Sequence, residues 1–116
     1  MGSIISRTMR PTEFEALLES LRTDLSIKLR DLMRKLDITE SELVSRSGVS
    51  DVNIRHLLKG RQTTQGMNLK KLDAVAAMLG CAVQLPNRMA EWDQRKTALE
   101  EVFRANAEIR FVERQT

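Results

Sequence analysis

The sequence predicts an all-α fold with one short strand, and three observations carry that prediction. Aromatic residues make up 3% of the 116 and tyrosine is absent, so the core must come from Leu, Ile, Val, Met and Ala, which suit packed helical layers. From Phe14 to Leu36, apolar residues recur at spacings of three and four, one face of an amphipathic helix. From Glu40 to Gly60, two shorter helical patterns flank Gly48. The length fits one domain able to bury a core without disulfides or metals.

Residues 1–11 carry no periodic pattern and read as a flexible arm. Pro11 and Thr12 open the first helix, with Thr12 and Glu15 spaced as a capping box. The helix runs as one piece from 12 to 36 or as two with a kink near Thr23 to Ser26. Asp37 to Thr39 end it. Thr39 then caps a second helix, and Glu42, three residues on, is placed to reach back to the cap. Gly48 enters the left-handed region without steric cost and reverses the chain. Ser50 caps a third helix. Leu43, Val44, Val49, Ile54, Leu57 and Leu58 converge on one small core, leaving Asp51, Val52, Asn53, Arg55, His56 and Lys59 largely outside it. That layout is a helix-turn-helix.

These residues resemble the Cro/cI-like (XRE) helix-turn-helix regulators. The resemblance lies in Glu40 opening the motif, Leu43 and Val44, Gly48 in the turn, Val49, Ile54 and Leu57, the closing Gly60, and the following helix Asn68 to Gly80. With the preceding helix it covers residues from about 24 to 85. It implies a lambda-repressor-like domain over 12–85 that includes an N-terminal helical extension, and DNA as the partner. The chain departs from the family pattern in four places. Glu40 stands where many members have Gln, Val44 where alanine is usual, and Ser47 where a hydrophobe is common, and the acidic residue and proline that often flank the closing glycine are replaced by Lys59 and by Gln62, Thr63 and Thr64.

Charge supports that partner. The net charge of +3 is modest, yet between Arg46 and Lys71 six bases face the single acid Asp51. A basic stripe centred on the third helix is the electrostatic footprint of phosphate contacts, with Arg46 and Lys59 among its cations. The resemblance implies that the polar loop from Arg61 to Gly66 lies on the DNA backbone through Arg61, Thr63 and Thr64. It also places Ser50, Asp51, Val52, Asn53, Arg55 and His56 towards the bases. Arg55 suits guanine O6 and N7, Asp51 a cytosine amine and Val52 a thymine methyl. One helix reads only a few base pairs, so two copies on an inverted repeat are expected.

After Gly80, the run Cys81 to Leu85 reads as a single strand, whose partner is the same strand of a second subunit or Ile109 to Val112. Residues 86–116 read as a helical dimerisation or partner-binding extension, with a final helix from about Arg88 to Glu108. Its stripe includes Trp92, Leu99 and Phe103, and needs burial against Phe14 to Leu21 or a second copy. Val83, Leu85, Trp92, Leu99 and Phe103 are the expected dimer residues. Six bases and six acids cancel from Arg88 onward, so no second nucleic-acid surface is expected there.

Other classes fare poorly. His56 is the only histidine and Cys81 the only cysteine, too few for a zinc site. The chain has no HExxH, GxSxG, CxxC or glycine-rich phosphate loop, so neither an enzyme nor a cofactor is expected. No segment reaches the roughly 18 apolar residues of a membrane span, and the start lacks a secretory core, so a cytoplasmic protein is expected. The function expected is a dimeric repressor of prokaryotic or phage type. The alternative is an antitoxin that binds a protein toxin through its extensions and represses its own promoter.

Overall fold

The structure, a computed structural model, describes residues 10–114. The arm expected over 1–11 therefore lies outside the described residues, except for Arg10 and Pro11. Helix α1 spans Pro11–Leu36 in one piece. Pro11 occupies its first position, where no intrahelical N–H is needed. Arg10 is the cap residue, and the Glu13 carboxylate accepts its N–H at 3.4 Å. The Thr12–Glu15 box is thus not formed, because Thr12 already lies inside the helix.

The region where a kink was conceivable is where α1 meets the helix-turn-helix. The Ser26 hydroxyl donates to the Leu58 carbonyl at 2.6 Å. Gly60, with φ of +65°, lies so close that a Cβ there would stand 3.2 Å from the Thr23 Cα. Only glycine meets both demands without strain. Leu18, Leu25 and Leu29 carry the buried face of α1 into the common core.

Helices α2 (Glu40–Ser47), α3 (Asp51–Leu58) and α4 (Leu69–Met78) complete the central unit. The expected caps are present. The Thr39 hydroxyl accepts the Glu42 N–H at 3.2 Å while Glu42 accepts the Thr39 N–H at 3.3 Å. Gly48 takes φ of +75°. Leu43, Val49, Ile54, Leu57 and Leu58 are buried together with Leu69, Leu72 and Val75 of α4, and Val44 is half-buried.

Strand β1 (Cys81–Gln84) pairs antiparallel with β2 (Arg110–Glu113), with Ala82 opposite Val112 and Val83 opposite Phe111. Of the two partners open to β1, the chain's own is the one used. The other edge of β1 is occupied by side chains. Asp73 accepts the Val83 N–H at 3.0 Å, and the Arg114 guanidinium donates to the Cys81 carbonyl at 3.2 Å and faces Asp73. Such capping removes the free backbone groups that another strand would use.

The single helix expected from Arg88 to Glu108 is not found. A 3₁₀ turn at Asn87–Met89 leads into an irregular stretch, followed by the short helix α5 (Leu99–Arg104). The reason lies in where the carbonyls go. Gln94 and Thr97 give theirs to the Lys70 and Leu69 N–H groups, each at 3.1 Å. Asp93 meanwhile folds its carboxylate back onto the Arg95 N–H at 3.0 Å. Asn68 and Ala98 form an antiparallel bridge. The segment thus completes the N-terminus of α4, where the first N–H groups lack helical partners.

Leu99 and Phe103 are buried inside the chain, and Val83, Leu85 and Trp92 are half-buried against the same core. Of the two covers open to this stripe, the chain's own core takes Leu99 and Phe103, while Val83, Leu85 and Trp92 keep part of their surface. The Phe14 to Leu21 face finds its cover in α5, which packs on α1 with the Arg104 guanidinium over the Phe14 ring.

Candidate nucleic-acid interface

Two faces of α3 divide its residues. Asn53, Ile54, Leu57 and Leu58 point into the molecule, whereas Asp51, Val52, Arg55 and Lys59, just past its end, are exposed and His56 is half-buried. The Ser50 hydroxyl accepts the Asn53 N–H at 3.3 Å, fixing the start of the helix. Val52 is 38% exposed, one of the few large apolar side chains left in solvent. Beside it stand an acid and a guanidinium. The exposed set is thus Ser50, Asp51, Val52 and Arg55, with His56 at its border.

Asn53 does not belong to that set. It is 5% exposed, and its amide is spent on the following loop. Its carbonyl oxygen accepts the Thr64 N–H at 3.0 Å, and its NH₂ donates to the Thr64 hydroxyl at 2.9 Å. A buried amide bonded at both its oxygen and its NH₂ fixes the loop to α3. The sequence held a signal for this: Asn53 lies four residues before Leu57, on the apolar face of α3.

The loop residues divide in the same way. Thr63 is buried, with its N–H and hydroxyl directed at the Glu100 carboxylate at 3.4 and 3.5 Å. Thr64 is held by Asn53. Of the backbone-contact residues expected from sequence, Arg46, Lys59 and Arg61 are exposed, and no ion pair holds them among the described residues. Behind the loop, the Arg22 Nε donates to Glu100 at 2.9 Å, both side chains nearly buried. Sequence reasoning missed this brace, which joins residues 78 positions apart. No local pattern marks such a pair.

His56 bounds the surface on the other side. Its Nδ1 is buried without a hydrogen-bond partner among the described residues, and its carbonyl accepts the Arg61 N–H at 2.9 Å. The residue therefore fixes the exit of α3 through its main chain, while its ring packs more than it reaches.

A glycine-turned helix pair, an exposed mixed face on its second helix and a pinned polar loop flanked by free cations define a helix-turn-helix DNA-binding unit. Residues 28–84 match the family model of the Cro/C1-type HTH DNA-binding domain, and that segment is a Cro/cI-like helix-turn-helix of the XRE family. None of the curated proteins or solved structures gives a significant match. The matched segment ends with β1, so α5 and β2 lie beyond it. No described helix is long and apolar enough to cross a membrane.

Proposed function

We propose that the protein is a sequence-specific double-stranded DNA reader that represses transcription by occupying its operator. The observation that supports this is the division of α3, with its apolar positions buried and Asp51, Val52 and Arg55 exposed on a basic surface. In the major groove, Arg55 pairs with guanine, Asp51 accepts from cytosine and Val52 packs on a thymine methyl. Arg46, Lys59 and Arg61 neutralise flanking phosphates. A single α3 covers a few base pairs, so two copies on half-sites roughly 34 Å apart give useful specificity.

Selection from a random duplex library at about 0.15 M salt, a physiological ionic strength, tests the reading. An enriched inverted repeat is the expected outcome. A single enriched half-site would keep the reader and remove the dimer, and no enrichment would overturn the reading. Arg55→Ala should relax preference at one base pair and cost about 1–3 kcal/mol of discrimination.

A second reading, an antitoxin that binds a protein toxin and represses its own promoter, is favoured by one observation. A groove of about 490 Å³ runs between α1 and the sheet, where Leu32, Phe111 and Val112 meet Lys28, Lys35 and Arg110 and a single acid, Asp31. Apolar floor and basic rim suit a protein segment more than a nucleic acid. Stable 1:1 co-purification with a toxin expressed alongside would support it.

A further inference from the structure

The carboxyl-terminal segment that sequence reasoning set aside as electrically neutral meets the DNA-backbone loop. Gln94 and Thr97 hold the start of α4 through their carbonyls, and the Asn68 side chain donates to the Arg95 carbonyl at 3.0 Å. Lys96 in turn shares a surface groove of about 430 Å³ with Gln62, Thr63 and Gln65 of the loop, the groove's far wall being Glu100, Glu101 and Arg104. Arg95 and Lys96 thus join Lys70 and Lys71 at one end of α4, all four exposed.

The neutral sum over the tail conceals a separation of charge. Glu100 is paired with Arg22, Glu108 with Arg110, Glu101 accepts the Ala98 N–H at 3.1 Å, and Asp93 is turned onto the Arg95 backbone. Four of the six acids from Arg88 onward thus have partners within the chain, Glu91 and Glu113 are exposed, and no ion pair holds the Arg95 and Lys96 side chains among the described residues.

The N-terminus of α4 has itself lost the means to bind a phosphate. Its first three N–H groups go to the Thr97 carbonyl, the Gln94 carbonyl and the Asn68 side chain. A bare helix N-terminus offers donors to an anion, and here the tail has covered them. What it brings in exchange is two cations on the outer side of the cover.

We infer that Arg95 and Lys96 form an additional duplex-backbone contact, continuing the Arg61–Gln65 loop and lengthening the protein's footprint beyond the Cro/C1-type domain. This rests on the reading of α3 as a DNA reader. The ligand is phosphate of the duplex flanking the half-site, so the contact adds affinity without base preference. Side chains supply it, so replacing them leaves the backbone bonds that hold the segment in place.

The test is the salt dependence of binding to the selected duplex, comparing the full chain with Arg95→Gln/Lys96→Gln and with a control, Lys35→Gln/Arg110→Gln, that removes the same charge at the α1–sheet groove. Loss of two phosphate contacts per copy should flatten the slope of log K against log salt by about 1.8 for each bound copy, and by about 3.6 on a duplex that holds two. Base preference should stay the same and the hydroxyl-radical footprint should shorten at its outer edge. An unchanged slope in a tight wild-type binder, or an equal flattening by the control, would overturn the contact while leaving the α3 reading intact. Absence of any salt-dependent duplex binding by the wild type would remove both. Thermal melts of the variants matching the wild type exclude misfolding as the cause.

Discussion

Two stretches of the molecule, Asn68–Gln84 and Ala98–Glu113, run through the same succession of bridging residue, helix, left-handed turn and strand. Their bridging residues pair with each other and their strands pair with each other, both antiparallel. What differs is how each is held at its ends. The first begins with a side-chain cap, Asn68 on the Lys71 N–H at 2.9 Å, and turns at Gly80 with φ of +73°. The second begins at Ala98, which has no side chain able to cap, and turns at Asn106 with φ of +52°. The first unit carries its own side-chain cap and glycine turn and takes two further N–H partners from the stretch before the second; the second has neither a side-chain cap at its first residue nor a glycine at its turn.

The strongest way to break that comparison is to test whether the units share one core. Leu72 and Leu99 are both fully buried, so Leu99→Ala should cost about 3 kcal/mol, as Leu72→Ala should. Both variants should give one urea transition at lower midpoint. Two transitions for Leu99→Ala would make the second unit an independent appendage.

Next in size is Glu100→Ala, which strands the nearly buried Arg22 and frees Thr63, for about 2 kcal/mol. The same urea series reads it, and double replacement with Arg22→Met should recover part of the loss. Gly80→Ala comes third. No atom lies within 4 Å of the added methyl, so its cost of about 1–2 kcal/mol is the left-handed backbone alone, and Gly80→Asn should cost less.

Asn68→Ala removes a cap and should lower stability by about 1 kcal/mol, with faster amide exchange at Lys71 as the local check. The smallest effect is expected for Asn106→Gly, a gain of no more than about 0.5 kcal/mol in the melting free energy. A larger gain would mean that the second turn carries strain.

Legibility in the sequence follows the same division. The Thr39–Glu42 box, Gly48, the Ser50 and Asn68 caps and the apolar positions of α2 to α4 are local, and each was readable at its own position. The tail misled because Met89, Trp92, Leu99 and Phe103 fit a helical stripe. What overrides that period is the use of the Gln94 and Thr97 carbonyls by α4, a contact between segments about 25 residues apart that no periodicity reports. For the candidate site, the exposed residues Asp51, Val52 and Arg55 could be placed from the motif. Asn53, Thr63 and Thr64 were placed at the DNA by the family resemblance; that they also pin the loop, through each other and Glu100, was not legible, since a polar side chain that holds a loop looks the same in sequence as one that meets a phosphate.

The side chains on the outer edge of β1 set a limit on how the sheet can grow. With Asp73 and Arg114 seated against Val83 and Cys81, the ribbon has a valence of one. Any strand added to it must come alongside β2, and an assembly built that way closes after a single addition. A ribbon with two open edges templates an indefinite series and is prone to fibres; this one offers a single edge, so strand pairing between copies would stop at pairs.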